Sequence, residues 1–506
     1  MTSSALRVAL PGLQGNDRAM TDPSPCPPAA AGPVWFATPR FRIAVLVVMA
    51  LALAGEGAMA VFVRVNDVAN HYHQGYRLLH ADPDAGAECF KYVPYPAGRA
   101  TLNAALAWLP YRAFRATLFV LAVAALVGAF TLWERMAART RPVRPEARFV
   151  AGVATVVLLG PWVARDLDDC GLQILLLFML SASLSLTARG RDGAAAAWLG
   201  TAIAYKATPL LVVPFAMLTG RWRAAAGAVA VAVALCLSPA LFIGWDRAVE
   251  LNRGFIEVAV AGVRAGEPGE NGFEPPRHKN QGLVLALARA TRTYPPDHPL
   301  YLSHPLFVQF LDLPPRVAGA IAAVVVGAGL AALTLHVRRV RRDGTAADLV
   351  REWAVVCFLC ALLSPVCWGP HLVLGLPAAY LVLRDGFDRL ARGVRPRWRV
   401  TAGLAVVAGL IHGFPRELLG AELSVLALSY KPYTLSAVVL MGLVLALPAA
   451  GGGSGLPGGR ESVVGRMRFF RASRRAYPDR CSGDGSSEAP SRAVAAPTSH
   501  SAPPSP

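Results

Sequence analysis

Apolar runs separated by short polar punctuation fill the chain between residues 42 and 448. A helix crossing the hydrocarbon of a bilayer needs about 20 apolar residues, and fewer where neighbouring helices shield it. On that measure the runs predict twelve spans, near 42–63, 115–134, 148–164, 171–187, 194–206, 208–219, 223–243, 316–336, 352–366, 370–384, 399–415 and 433–448. The stretch "AAAAWLGTAIAYKATPLLVVPFAML" reads as two short helices forming a hairpin, because Pro209 cannot continue a helix normally and disfavours helical geometry at Thr208. After the first span, "FKYVPYPAGRATLNAALAWLPYRAF" (90–114) interleaves Lys91, Tyr92, Tyr95, Trp108 and Tyr111 with proline and apolar residues. It is too broken to span, and predicts an interfacial helix with its aromatics at headgroup depth, either lining the approach of a lipid-borne substrate or serving as a structural belt.

Basic loops report sidedness. "ERMAARTRPVR", "ARGRDG", "GRWR", "HVRRVRRDG" and "RDGFDRLARGVRPRWR" all fall in the cytoplasm under one assignment, with both termini inside, provided the hairpin exists. The same assignment sends 64–114, "ARDLDDCG", 245–315, "PVCWGPH" and 416–431 outside, and these segments carry the acids, histidines, tryptophans and asparagines. The outer face is therefore the expected chemical face. Residues 1–40 read as a disordered cytoplasmic N-terminus without a cleavable signal, 41–448 as the membrane domain, and 449–506 as a disordered, basic, Gly/Ser/Pro-rich cytoplasmic tail.

Composition agrees with this picture: 54% of the 506 residues are hydrophobic and 16% charged, too few charges for the surface of a soluble protein of that length. The net charge of +18 sits in the short loops, so it reports orientation and argues against nucleic acid as a partner. Eight cysteines form no metal or disulfide framework. Cys357 and Cys360 share one helix face, while Cys89, Cys170 and Cys367 would face one outer compartment, where a disulfide between two of them is chemically permitted.

Asp67 lies just beyond the first span, where a partly desolvated carboxylate gains basicity yet still reaches a polar substrate. The competing reading makes Asn66 or Asp67 an ordinary cap of a helix starting at Val68, with Tyr72 and Tyr76 on one face. His71 and His73 are two apart, on different faces, which suits an interfacial position better than a metal pair. Asp166, Asp168 and Asp169 in "RDLDDCGLQ" could hold a hard divalent cation, or an ion pair with Arg165 and a helix cap. Lys206 stands at the hairpin turn in an apolar stretch; intramembrane charges are costly, so it either meets an anionic ligand or forms an internal salt bridge. In "PPRHKNQG" (275–282), His278, Lys279, Asn280 and Gln281 supply donors for phosphate or sugar hydroxyls. In "LLSPVCWGPH" (362–371), Trp368 offers a flat face for a sugar ring and His371 a donor to a leaving phosphate oxygen.

Taken in order, these residues resemble bacterial glycosyltransferase family 87, the polyprenol-phosphate-mannose-dependent alpha-mannosyltransferases of the GT-C superfamily. The resemblance spans 42–448 and rests on Asp67 to Tyr76, "YxPYP" (92–96), the helix start at Gly171 and Gln173, "GTAIAYKATPLL" (200–211), the outer "NQG" (280–282) and "LSPVCWGPH" (363–371). It implies a GT-C-like bundle of about twelve helices in the inner membrane of a bacterium. It also implies metal-independent, inverting transfer of a hexose, mannose by the family's habit, from a polyprenyl-phosphate donor to a glycolipid or glycan on the extracytoplasmic side. Asp67 would be the general base, His371 a donor-phosphate contact, and Lys206 matches a characteristic family position. "DDCGLQ", NQG and the Gly-Pro before His371 depart from the family pattern, at positions that bear on sugar and acceptor identity. No cofactor is expected.

A lipid or solute transporter is the alternative; it would scatter polar residues at midplane on several helices and show inverted repeats. Apart from Lys206, the polar residues here crowd to one face and no repeat is visible. A structural scaffold is a third reading, to be preferred if Asp67 proves dispensable.

Overall fold

The computed structural model describes residues 38–64, 67–81, 95–264, 278–293, 311–343 and 346–448, and every regular element among them is helical. The two expected terminal tails, apart from residues 38–40, lie outside the described residues, as do Cys89, Lys91 and Tyr92.

Helix α1 (Pro39–Ala58) starts where Thr38 Oγ1 accepts the Phe41 N–H at 3.4 Å and Pro39 supplies a fixed φ at the first turn. It continues through a wider turn, Met59–Val63. Then follow α2 (Val68–Leu79), α3 (Gly98–Ala107), α4 (Tyr111–Thr140), α5 (Pro145–Leu158), α6 (Gly160–Asp168), α7 (Leu172–Thr187) and α8 (Asp192–Tyr205). After a 3-10 turn, Thr208–Leu211, come α9 (Val212–Leu218), α10 (Trp222–Leu237), α11 (Ala240–Ile243), α12 (Trp245–Arg264) and α13 (Leu283–Thr291). The chain ends in α14 (Pro315–Asp343), α15 (Ala346–Leu362), a 3-10 turn Gly369–Gly375, α16 (Leu376–Ala391), α17 (Trp398–His412), α18 (Arg416–Ser429) and α19 (Pro432–Leu445).

Four of these stretches are long and apolar enough to cross a membrane unaided: Pro39–Val63, Tyr111–Thr140, Trp222–Ile243 and Pro315–Arg339. The pairs α5–α6 and α17–α18 qualify if each bent pair, at 69° and 88°, is one span, and Leu172–Thr187, Thr208–Leu218 and Pro432–Leu445 are shorter apolar helices. The protein is thus a multi-pass membrane protein. The hairpin expected around Pro209 takes the form of a break at Lys206–Ala207 between α8 and the 3-10 turn, with Lys206 in an extended conformation. Of the segment expected to lie flat, residues 98–107 form α3 and the end, from Tyr111, is already part of α4.

Packing is close because small residues meet across it. α8 lies on α10, α7 on α4 and α8, and α3 on α2, α8 and α10. A Cβ on Gly75 would stand 2.7 Å from the Asn103 backbone, so α2 and α3 touch main chain to main chain there. α1 is different: none of its residues is buried, and its ends are tied by Arg42 to Glu146 at 3.4 Å and by Arg64 to Glu56 at 2.7 Å.

Two polar layers bracket the apolar core. Along α4, Arg115 donates to the carbonyls of Ala60 and Arg64, and nineteen residues later Glu134 binds Arg384 at 2.7 Å, Tyr380 at 2.7 Å and Arg148 at 3.5 Å. At about 1.5 Å of rise per residue the two lie roughly 28 Å apart, close to the hydrocarbon thickness of a bilayer. The Glu134 layer continues with Arg141–Asp385 and with Arg392–Asp388 at 2.9 Å. An apolar cleft lined by Leu126, Phe130, Trp133, Leu177 and Tyr380 adjoins that layer.

Candidate active site

The layer around Arg115 holds most of the described residues singled out above. Asp67 takes the position before the first turn of α2, but its side chain makes no capping bond and is exposed, so it has the location of a cap without a cap's bond. Its backbone N–H is accepted by the carboxyl of Asp169, which burial, and then the nearby charge of Asp67, push up to about 6.

The three aspartates of the "DLDD" turn have separate partners. Asp166 is fully enclosed, and its two oxygens accept the N–H groups of Gln173 at 3.0 Å and Ile174 at 2.8 Å, satisfying the orphan donors that open α7. Asp168 pairs with Arg64 and, at 3.5 Å, with Arg165. Among the described residues no cluster of three or more His, Cys, Asp or Glu side chains converges as a metal site would require. Gly171 makes the turn possible: its φ of +73° is left-handed, and a Cβ there would overlap Ala122 of α4.

Asp166 thereby fixes Gln173, whose Oε1 accepts from Lys206 Nζ at 3.2 Å. Lys206 is 6% exposed, and Gln173 is its one hydrogen-bond partner among the described residues. The residue before it, Tyr205, meets Arg99 of α3. The Arg99 guanidinium lies 3.7 Å from the Tyr95 ring centroid and 4.4 Å from that of Tyr205. Its Nη2 faces His71 Nε2 at 3.1 Å and donates to the Tyr205 hydroxyl at 3.5 Å. His71, on the buried face of α2 and against Tyr95, is held neutral by burial and by Arg99, both of which lower its pKa. Sequence reading passed over Arg99 and set His71 aside as interfacial. The available signal was the i, i+3, i+4 spacing of His71, Gln74 and Gly75, which marks one buried helix face.

The third part is the turn after α15. Trp368 and His371 stack with an interplanar angle of 4° and centroids 6.4 Å apart, and the Trp368 backbone N–H donates to His371 Nδ1 at 3.1 Å. With Nδ1 accepting, the ring proton sits on Nε2, and the ring also bonds the Val366 backbone. This turn packs on α6, where Trp162 approaches Gly369 and Tyr433. Asn280 and Gln281 face inward. Asn280 Oδ1 accepts from Cys367 and Gly282, and its Nδ2 donates to the Pro365 carbonyl at 2.9 Å. Gln281 Nε2 donates to the carbonyls of His278 at 2.7 Å and Leu428 at 3.1 Å, and its backbone N–H to Cys367. Lys431, buried in a left-handed conformation (φ 58°), completes the clasp by donating to the Asn280 carbonyl at 2.6 Å. Lys279 is exposed and His278 half-buried. Cys170 and Cys367 are buried free thiols.

No curated protein matches the chain. A crystal structure of ArnT from Cupriavidus metallidurans bound to undecaprenyl phosphate resembles it with 15% identity over 79% of this chain and 77% of that one, at a TM-score of 0.30, too distant to carry residues across. The family model for glycosyltransferase family 87 matches residues 92–365, a stretch that contains Arg99, Gln173, Lys206, Asn280 and Gln281 and leaves Asp67, Trp368 and His371 outside it. That stretch is more than half of the chain, which therefore belongs to glycosyltransferase family 87.

Proposed function

We propose that this glycosyltransferase moves a hexose, mannose in the first instance, from a polyprenyl-phosphate carrier to a glycolipid or glycan acceptor on the extracytoplasmic face of the inner membrane of a bacterium. The termini, in this reading, are cytoplasmic, and the bundle has about twelve spans, with α3 belonging to the rim of the outer face. The observation that carries the reading is one juxtaposition: an exposed carboxylate, Asp67, stands over a turn whose next layer inward is the buried cation Lys206, linked through Asp169, Asp166 and Gln173.

In the reaction, Asp67 takes the proton of the acceptor hydroxyl as that oxygen bonds to C1 of the sugar. The C1–O bond to phosphate breaks with inversion, through an oxocarbenium-like transition state, and the carrier departs as a phosphate monoester. Charge builds on the departing oxygen, so preorganised donors count most there, and Lys206 and His371 are the groups we assign to it. Trp368 offers its ring to the sugar. A sugar phosphodiester carries a single negative charge, which these groups can meet without a divalent cation. Asn280 and Gln281, committed to backbone groups, act by holding the Trp368–His371 turn, while His278, Lys279 and Tyr92 remain candidates for the outer rim.

The test is Asp67→Asn in membranes supplied with radiolabelled polyprenyl-phosphate mannose. Loss of transfer by about a hundredfold or more, with unchanged protein level, is expected. Undiminished transfer would remove Asp67 as the base, and solute uptake without covalent transfer would favour a transporter.

A further inference from the structure

Arg99 is the most anomalous charge among the described residues. Its side chain is wholly enclosed (0% exposed), yet among the described residues no carboxylate pairs with it and its Nε and Nη1 have no hydrogen-bond partner. The tyrosine faces on either side offset part of the cost of burying a guanidinium, but a ring face does not satisfy N–H groups that lie in its plane. An uncompensated buried cation is among the costliest arrangements a protein can hold, and it persists where a ligand completes it.

The neighbours point the same way. Gln74 Nε2 and Asn103 Nδ2 are also buried and without hydrogen-bond partners among the described residues, while His71 bonds the Gln74 side chain, and the four residues line the contact of α2 with α3. Since His71 Nε2 faces the Arg99 guanidinium, which can only donate, Nε2 is the acceptor and Nδ1 carries the ring proton. The atoms left over, Arg99 Nε and Nη1, Gln74 Nε2 and Asn103 Nδ2, are all donors. Lys206 follows Tyr205 directly and adds a second buried cation. Asp166, the carboxylate whose charge acts on both Tyr205 and Lys206, spends both oxygens on backbone N–H groups. Two cations and this array of unpaired donors complement an oxyanion that presents several acceptors at once, which is the chemistry of a phosphate ester.

Resting on the reaction proposed above, we infer that Arg99 is a second cationic contact for the phosphate of the lipid carrier, with its fork aimed by Tyr205 and His71. Lys206 and Arg99 then grip the phosphate from two helices, and the tyrosine faces keep the guanidinium in register between substrate cycles. The main-chain contact of α2 and α3 at Gly75 holds His71 and Arg99 at their spacing.

The test uses the full chain in nanodiscs and compares binding of polyprenyl monophosphate with that of the matching phosphate-free polyprenol by native mass spectrometry. Wild type is expected to prefer the phosphate form by at least about tenfold, Arg99→Gln to lose that preference, and Arg99→Lys to keep part of it, since charge is retained and the planar fork is not. Tyr205→Phe, which keeps the ring and removes the hydroxyl, serves where Arg99→Gln fails to fold; it is expected to lower the preference several-fold. A folded Arg99→Gln, or in its place Tyr205→Phe, with wild-type preference would overturn the assignment. Stabilisation by inorganic phosphate equal to that by the lipid would give the site to free phosphate and overturn the carrier. The two readings separate cleanly: phosphate-selective binding in a protein that transfers no sugar sinks the reaction and leaves Arg99 standing, whereas transfer by Arg99→Gln with unchanged KM for donor sinks Arg99 alone.

Discussion

The side-chain oxygen of Asn280 accepts the backbone N–H of Cys367 at 3.0 Å, joining two loops 87 positions apart in the chain. Through that bond, and the donation from Asn280 to Pro365, one amide sets the path of the turn that carries Trp368 and His371. Asn280→Ala would leave the Cys367 and Gly282 N–H groups and the Pro365 carbonyl unpaired in a buried place, at about 1–3 kcal/mol for each group that water does not reach. Transfer is expected to fall at least tenfold. Cys367, fully enclosed and with its thiol pushed up to about 12 by burial, should become reactive to maleimide in the variant while staying inert in the wild type. Mass spectrometry of labelled protein checks both.

A pH effect follows from Asp169. Its carboxyl titrates near 6 in the fold rather than near 4, so between those values the folded state holds a proton that the unfolded chain has released. Stability contributed by this group is full at about pH 4, declines as pH rises through 6, and is absent above it. Asp169→Asn stays neutral and its carbonyl can still accept the Asp67 N–H. The variant should match wild type near pH 4 and unfold at a higher temperature than wild type at pH 7, with the gap opening between pH 4 and 6 in a thermal scan. A constant gap across that range would contradict the assignment.

Gly171 and Gly152 provide a matched pair. Alanine at 171 combines a left-handed backbone with an overlap against Ala122, and should destabilise by about 2–4 kcal/mol. Alanine at 152, inside α5 with nothing within 4 Å of the added methyl, should be neutral or stabilise by up to about 1 kcal/mol. Thermal unfolding of the two purified variants distinguishes them.

At the far end of the bundle, Glu134→Gln leaves the buried Arg384 guanidinium without its counter-charge and should cost about 3–5 kcal/mol. Because that layer lies nineteen helical residues along α4 from Arg115, the KM for donor should not change in the protein that does fold. A donor KM shift of more than a few-fold would mean the two layers communicate.

Much of the frame was legible because burial in lipid imposes a local rule, a long apolar run for each crossing. The run at 115–134 became Tyr111–Thr140, and the break foreseen from Pro209 lies three residues earlier, at Lys206, where the extended backbone ends α8. Candidates for the site could be singled out only where chemistry and position coincide, as at Asp67 and Lys206. Arg99 in "PAGRATLN" looks like any interfacial arginine, since nothing local announces that Tyr95 and Tyr205 will enclose it. Asn280 and Gln281 look like ligand donors for the same reason: their partners Cys367 and Leu428 are remote in sequence, and only the tertiary fold shows that their hydrogen bonds are already spent.

The first helix carries a consequence for how the protein is made. With no buried residue between Pro39 and Ala58 and an apolar length sufficient to cross a membrane, α1 can settle in lipid before its one ion pair to α5, Arg42–Glu146, forms. It can therefore leave the insertion machinery while later helices are still on the ribosome, and anchor the nascent chain until the rest of the bundle closes beside it.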